Sequence, residues 1–155
     1  MSEYAVIREY PFPVAEVWHV LTDPEQVAQW TTSGQGGRPE DFAPVPGTRF
    51  RFVGKPTMGW AGIVHCEVIS VTAPHSLHYT WRGDEDAGDV TDVTYQLQEI
   101  TGGTRFTWHH TGFTGVGGFA MSRLLGSVRK KMLTEGIPPV LEAYHRIQQR
   151  TNPDT

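Results

Sequence analysis

The residues of this chain best able to bind or transfer a proton on one buried surface are His110, Tyr95 and Tyr79. A neutral imidazole can donate and accept a proton near neutral pH, so His110 is the candidate general acid or base. Tyr95 and Tyr79 are the candidates to orient that imidazole or to bind a carbonyl oxygen. The three side chains could also satisfy one another's hydrogen bonds inside a core, and the residues alone leave both roles open.

Hairpin signals predict that these three side chains are neighbours. The pair Gly102-Gly103 is typical of a tight turn, and a two-residue loop there pairs Tyr95 with His110 and Leu97 with Trp108. A turn at Ala73-Pro74 pairs Val68 with Tyr79 and Cys66 with Trp81. If the alternation continues across the acidic loop 83–89, Tyr79 lies beside Tyr95. The inner face of the sheet then carries one row: Val68, Tyr79, Tyr95 and His110.

Large aromatic side chains with a few polar tips on a concave sheet are typical of a small-molecule pocket. We expect its mouth near the glycine-rich segments 34–37 and 115–118. The opposite face of the hairpins is polar, so a homodimer, if it forms, should use other surfaces. That polar face carries Thr94, Gln96, Gln98, Thr107 and His109. The predicted pocket lining is Phe50, Phe52, Trp60, Tyr79, Trp81, Tyr95, Trp108, His110 and Met121.

Other chemistries find less support in the residues. His109 and His110 are adjacent in a predicted strand and point to opposite faces, and no HExxH or CxxC spacing exists, so neither a metal site nor a cofactor is predicted. The single cysteine, Cys66, is interpreted as a small core residue. The triplet Arg129-Lys130-Lys131 is interpreted as a solvated helix face, and nucleic acid is not an expected partner. No apolar run approaches ~20 residues, so neither membrane insertion nor an export signal is expected, and the predicted location is cytoplasmic.

The elements that must position these residues follow from periodicity and helix breakers. The 155 residues with a net charge of −4 fit one domain over 1–150, and the polar tail 151–155 is expected to fray. Strands are predicted at 4–10, 48–54, 62–71, 76–82, 90–100 and 104–112, with short helices at 14–21 and 26–30 and a long loop at 32–46. The last helical region starts near Gly118, and Gly136 with Pro138-Pro139 must kink or restart it. Its predicted apolar stripe is Met121, Leu125, Val128, Met132, Val140, Leu141, Tyr144 and Ile147.

Several motifs resemble one superfamily over nearly the whole chain. The opening combines an arginine strand, a proline turn into Val17-Trp18, and Thr22-Asp23-Pro24-Glu25 followed by Trp30. Further matches are Gly47-Thr48-Arg49-Phe50-Arg51-Phe52, Leu77-His78-Tyr79-Thr80-Trp81 and His110-Thr111-Gly112-Phe113. Together they resemble the START/Bet v-like (SRPBCC) superfamily, in particular its AHSA-like branch of heat-shock ATPase activator homologues. One departure is Ile137, where the family often has an aromatic residue before the proline.

The resemblance implies an α+β helix-grip fold. In this fold a curved antiparallel sheet of six or seven strands surrounds a long C-terminal helix, two short helices follow strand one, and a cavity lies between sheet and helix. The implied function is binding of a hydrophobic or aromatic small molecule in that cavity. Two alternatives stay open: a polyketide cyclase/aromatase-like enzyme in which His110 and Tyr95 or Tyr79 move protons, and a protein-binding stress-response or co-chaperone-like factor.

Overall fold

The computed structural model describes residues 2–31, 37–55, 62–83 and 90–151. Seven strands and a long C-terminal helical region form an α+β fold, with two short helices after the first strand. The strands are β1 (Ser2–Tyr10), β2 (Arg38–Glu40), β3 (Arg49–Val53), β4 (Ile63–Thr72), β5 (Ser76–Gly83), β6 (Thr91–Ile100) and β7 (Gly103–Phe113). The helices are α1 (Val14–Thr22), α2 (Pro24–Thr31), α3 (Gly115–Lys131) and α4 (Ile137–Thr151), with a π-helical turn (Met132–Gly136) between α3 and α4.

The strands form one sheet in the order β1-β7-β6-β5-β4-β3-β2, and every neighbouring pair is antiparallel. Side chains alternate between a buried inner face and an outer face that solvent reaches, as the period of two in an extended chain requires. In β7, for example, Thr104, Phe106, Trp108 and His110 are buried, whereas the residues between them are partly exposed. The inner face of this sheet packs against the helices and forms the core.

The C-terminal helical region passes through the π-helical turn just before two prolines. Ile137 still donates its backbone N–H to the Met132 carbonyl five residues earlier, but Pro138 has no N–H to donate to Leu133. The Tyr10 hydroxyl donates to that Leu133 carbonyl at 2.6 Å instead. Strand β1 therefore anchors the π-helical turn, and the prediction that Gly136 with Pro138-Pro139 kinks or restarts the helix agrees with the change in hydrogen bonding there.

Helices α1 and α2 close one end of the sheet. The Asp23 carboxylate accepts the Glu25 backbone N–H at 2.9 Å at the start of α2, which satisfies one of the free donors of that helix. Trp30 is fully buried and its indole N–H donates to the Val20 carbonyl at 2.9 Å, joining the two helices. The family-like opening of the sequence is thus a packing unit, with Trp30 edge-on to Trp108 in the interior.

The predicted fold is confirmed in its class, its sheet and its long terminal helix, and two details differ. The segment 32–46, predicted as a loop, contains the short edge strand β2, which pairs with β3. Met121 and Ile147 of the predicted apolar stripe are 41% and 52% exposed. Of the tail predicted to fray, Thr151 ends α4, and 152–155 lie outside the described residues. Within the described ranges, no helix combines the length and apolarity needed to cross a bilayer.

Candidate functional site

The predicted row of Tyr79, Tyr95 and His110 is wrong in register, although all three side chains lie on the inner face. The turn between β6 and β7 pairs Ile100 with Gly103, so each residue of β6 faces a β7 residue two positions earlier than predicted. The β5–β6 pairing is shifted by two residues as well, whereas the predicted β4–β5 pairs Cys66–Trp81 and Val68–Tyr79 are confirmed. A shift of the strand pairing by two residues keeps each side chain on the same face of the sheet. The burial of these side chains was therefore predictable from the sequence, but their cross-strand neighbours were not. The observed row is Val68, Tyr79, Val93, His110 and Tyr4.

Tyr79 and Tyr95 still meet diagonally across the sheet. Their hydroxyl oxygens are 3.1 Å apart, and both side chains are almost completely buried. Burial raises the pKa of each phenol well above its usual value, because a phenolate would be desolvated there. Both therefore remain neutral, and since a single hydrogen serves the shared bond, one hydroxyl proton of the pair stays available to another acceptor.

His110 lies apart from that pair, in a setting of its own. It is 0% exposed, and its Nε2 lies 2.7 Å from the Thr91 hydroxyl and its Nδ1 3.2 Å from the Tyr4 hydroxyl. Thr91 also donates its hydroxyl hydrogen to the Trp81 carbonyl, so Nε2 donates to Thr91 and Nδ1 accepts from Tyr4. Burial, with repulsion from Arg129 and His109, lowers the pKa of His110 to about 3. The imidazole is neutral at physiological pH and both of its nitrogens are occupied.

The other predicted lining residues fall into three groups. Phe50, Phe52 and Trp108 are buried in the core cluster, and Trp81 is partly buried against it. Met121 is an exposed residue of α3 and does not join the buried set. Trp60 lies outside the described residues. The first group packs as an ordinary aromatic core. Whether it also binds a ligand depends on the polar groups that face it.

Arg129 is the polar group that the sequence interpretation missed. Predicted to be solvated, it is only 5% exposed, whereas its neighbours Lys130 and Lys131 are exposed. Its guanidinium carbon lies 4.0 Å from the centre of the Trp108 ring and 5.5 Å from that of Trp81. A signal existed: Arg129 stands four residues after Leu125 and three before Met132, on the stripe expected to face the core.

The Arg129 guanidinium has almost no hydrogen-bonding partners. Nη1 donates to the Met132 sulfur at 3.1 Å, a weak acceptor, and Nε has no partner among the described residues. The arginine ion pairs among the described residues involve Arg38, Arg49, Arg51 and Arg105 but not Arg129. The indole N–H of the contacting Trp108 is also buried and finds no acceptor in the part of the chain that the structure describes. Two buried donor groups in contact with each other therefore lack an acceptor.

The exposure pattern of α3 departs from that of a normal surface helix at several positions. Its buried residues are Ser122 and Arg129, seven positions apart and hence on one face. Its exposed residues include Val116, Phe119 and Leu124. A helix packed only for stability buries its apolar side chains and exposes its polar ones. Helix α3 instead buries a serine and an arginine, and the arginine lies over the Trp108 ring.

A surface groove of about 410 Å³ lies elsewhere, where the β1–α1 turn meets the β6–β7 hairpin. It contains none of the predicted lining residues, and Glu99 is its one titratable group. It is lined by Pro11, Phe12, Pro13, Val14, Glu99, Ile100, Gly102 and Gly103. The groove is therefore the alternative binding site from which an experiment must distinguish binding in the interior.

Comparison with known structures shows the same fold. Protein MLL2253 from Mesorhizobium loti superimposes with a TM-score of 0.73 at 24% identity, over 92% of this chain and 98% of that one. CalU16 from Micromonospora echinospora gives 0.67 at 17% identity, over 96% and 84% of the two chains. DynU16, a protein in the dynemicin biosynthetic locus, gives 0.65 at 24% identity, over 89% of this chain and 49% of its own. At these identities the likeness establishes the fold alone.

Sequence comparison identifies the family. Among functionally curated proteins none matches the chain significantly. The family model described as activator of Hsp90 ATPase homolog 1-like protein matches residues 11–128. That match covers the opening motif from its proline turn onward, all the strands from β2 to β7, and most of α3 up to the residue before Arg129. Because it spans well over half of the chain, this protein belongs to the activator of Hsp90 ATPase homolog 1-like family, as its motifs predicted.

Proposed function

We propose that this domain binds a hydrophobic or aromatic small molecule between the inner face of the sheet and helix α3. The observation that carries the proposal is the pair of buried donors without acceptors, Trp108 Nε1 and Arg129 Nε, within an otherwise aromatic surface. Buried polar groups in folded proteins are almost always paired, so an unpaired group calls for a missing partner. A few unsatisfied polar groups among aromatic walls are what a ligand site requires.

Two neighbours support this proposal only by analogy of fold. CalU16 and DynU16 share the architecture, and DynU16 belongs to a biosynthetic locus. Fold alone does not transfer an activity. The cyclase-like alternative, in which His110 moves a proton, loses its geometric basis because His110 is bonded to Thr91 and Tyr4 rather than to Tyr79 and Tyr95. Binding, without a catalytic role for His110, is therefore the function we propose.

The test uses a neutral aromatic probe, 2-naphthamide, and records NMR amide shifts during titration. Interior binding should perturb resonances of β5, β6, β7 and α3. The matched variants are Val93→Phe, which adds bulk in the inner row, and Thr94→Phe, which adds the same bulk on the other face of β6. Val93→Phe should weaken binding at least tenfold, and Thr94→Phe should leave it unchanged. Shifts confined to residues of the surface groove, or no saturable shifts at all, would refute the proposal.

One observation favours a second candidate function, protein binding. Val116, Phe119 and Leu124 are exposed apolar residues of α3, and Val116 is 88% exposed. Val116 and Phe119 are three residues apart and hence neighbours on the helix surface, and exposed apolar patches are frequent at protein-binding surfaces. The family description names activation of the Hsp90 ATPase, so the assay is the ATPase rate of Hsp90 with added protein. Stimulation that Phe119→Ser abolishes and the exposed polar control Lys130→Ser retains would favour this candidate; no stimulation would remove it.

A further inference from the structure

The interior beneath α3 carries a positive charge that the described residues do not neutralise. Arg129 is 5% exposed and forms no ion pair within the described part of the chain. The groups that could supply a negative charge nearby, Tyr79, Tyr95 and the Cys66 thiol, all have a pKa raised by burial and stay neutral. Isolated buried charges are costly, and proteins normally pair them. The group missing from the described residues is therefore an anion.

Cation–π contacts compensate this charge only in part. The Trp108 ring lies directly against the guanidinium at 4.0 Å, and the Trp81 ring lies at 5.5 Å. Such contacts attract the cation but accept none of its N–H groups in the plane of the guanidinium. A guanidinium stacked on a ring keeps its edge free to donate two parallel hydrogen bonds to a carboxylate. The arrangement holds the arginine in place, and among the described residues only the Met132 sulfur, a weak acceptor, takes one of its N–H groups.

The remaining polar groups nearby are also donors or adaptable hydroxyls. The Trp108 indole N–H is buried without a partner, and the Tyr79–Tyr95 pair retains one hydroxyl proton. Ser122, two turns before Arg129 on the same face of α3, donates to the Phe119 carbonyl at 2.7 Å. A site made of donors and one cation, walled by aromatic rings, selects a flat apolar body that carries an anionic oxygen.

We propose that Arg129 is the anchor of the ligand site and that the ligand is an aromatic acid, whose carboxylate pairs with the guanidinium while its ring packs against the aromatic inner face. This inference rests on the proposed function, since it names the chemical class bound at the same place. It assigns Arg129 a role in recognition. Because α3 buries Arg129, apolar residues of the same helix such as Val116 and Phe119 stay exposed. Lys130, the next residue along α3, is exposed and offers a matched control.

The experiment compares two probes of nearly identical shape, 2-naphthoate and 2-naphthamide, by isothermal titration calorimetry at pH 7.5. At that pH a carboxyl group is ionised. The wild-type protein should bind 2-naphthoate roughly 10- to 100-fold more tightly than 2-naphthamide, as charge-assisted hydrogen bonds predict. Arg129→Met should abolish this preference while retaining the amide, and Lys130→Met should change neither affinity. Arg129→Lys, which keeps the charge but loses the planar fork, should retain only part of the preference.

A second measurement needs no ligand and separates recognition from a structural role. If Arg129 is an unpaired charge kept for binding, Arg129→Met should raise the melting temperature of the free protein, because an apolar side chain of similar length removes the desolvation cost. If Arg129 serves only to hold α3 on the two tryptophans, the same variant should lower the melting temperature, and the inference is overturned.

The outcomes distinguish this inference from the proposal it rests on. Equal affinity of the wild type for acid and amide, or a preference for the acid that survives in Arg129→Met, overturns the anionic ligand and leaves the binding function standing. Failure of both probes to bind overturns both proposals. If Arg129→Met does not fold, Arg129 is structural, and the inference is overturned just as it is by a lowered melting temperature.

Discussion

His110 should make the stability of this protein depend on pH between neutrality and about pH 3. Its folded-state pKa is lowered from 6.5 to about 3, chiefly by burial and then by repulsion from Arg129 and His109. Between these two values the unfolded chain binds a proton that the folded chain does not. Stability is therefore independent of this group above about pH 7 and falls as the pH drops through the window.

The magnitude follows from the size of the shift. Each unit of pH between the two pKa values costs about 1.4 kcal/mol of folding stability, because one pKa unit is worth that much at 25 °C. Between pH 7 and pH 5 the folded protein should lose about 2 kcal/mol through His110 alone. Since His110 is 0% exposed and hydrogen-bonded on both nitrogens, screening by solvent should reduce this figure little.

The assay is urea unfolding at pH 7 and pH 5 for the wild type, His110→Gln and His109→Gln. His110→Gln removes the titrating group, so its stability should change by about 2 kcal/mol less over this interval than that of the wild type. His109 is the matched control, because it lies on the opposite face of β7 and is exposed beside Glu3. The reasoning is refuted if His110→Gln retains the full pH dependence, or if His109→Gln loses it.

Three further predictions address the same interior and its supports. Arg129→Met should raise the pKa of His110 above about 3, because it removes a repelling charge; an NMR titration of the imidazole would show this, and an unchanged pKa would mean that the two groups do not interact. Tyr10→Phe should lower the free energy of unfolding in urea by about 1–3 kcal/mol, because it leaves the buried Leu133 carbonyl unpaired. The control Tyr144→Phe should lower it little, because the Tyr144 hydroxyl has no hydrogen bond among the described residues. Equal losses in the two variants would contradict the anchoring role of Tyr10. Gly103→Ala should destabilise the folded protein by about 1–3 kcal/mol, because the added Cβ would meet the Tyr10 carbonyl oxygen. The control Gly117→Ala on α3 has open space and should be neutral or stabilising by about 0.5–1 kcal/mol. A tolerated Gly103→Ala would contradict the close approach of β1 and β7.

The strands and their buried faces were predictable from the sequence because a period of two is a local property. Alternation along β6 and β7 places Tyr95, Trp108 and His110 on the inner face. A shift of the pairing by two residues leaves them there. The register itself depends on which residues form the turn, and Thr101-Gly102 rather than Gly102-Gly103 occupies it. Composition does not separate these two turns, so the neighbours of His110 could not be deduced from it.

The site was less predictable because it depends on pairings between distant segments. Tyr4 contacts His110 only because β1 lies beside β7, 106 positions away in the chain. Arg129 resembled part of a basic, solvated triplet, and only its position on the helical stripe hinted otherwise. A buried arginine without a counter-charge conflicts with the usual pattern of a surface helix, and such local conflicts are expected at functional sites.

The most direct measurement is a crystal structure of the protein soaked with 2-naphthoate. We predict density for the probe between α3 and the inner face of the sheet, with its carboxylate oxygens about 2.7–2.9 Å from the guanidinium nitrogens of Arg129 and its ring against the aromatic side chains. Density for the probe only in the groove between the β1–α1 turn and the β6–β7 hairpin, with Arg129 still bonded only to Met132, would contradict it.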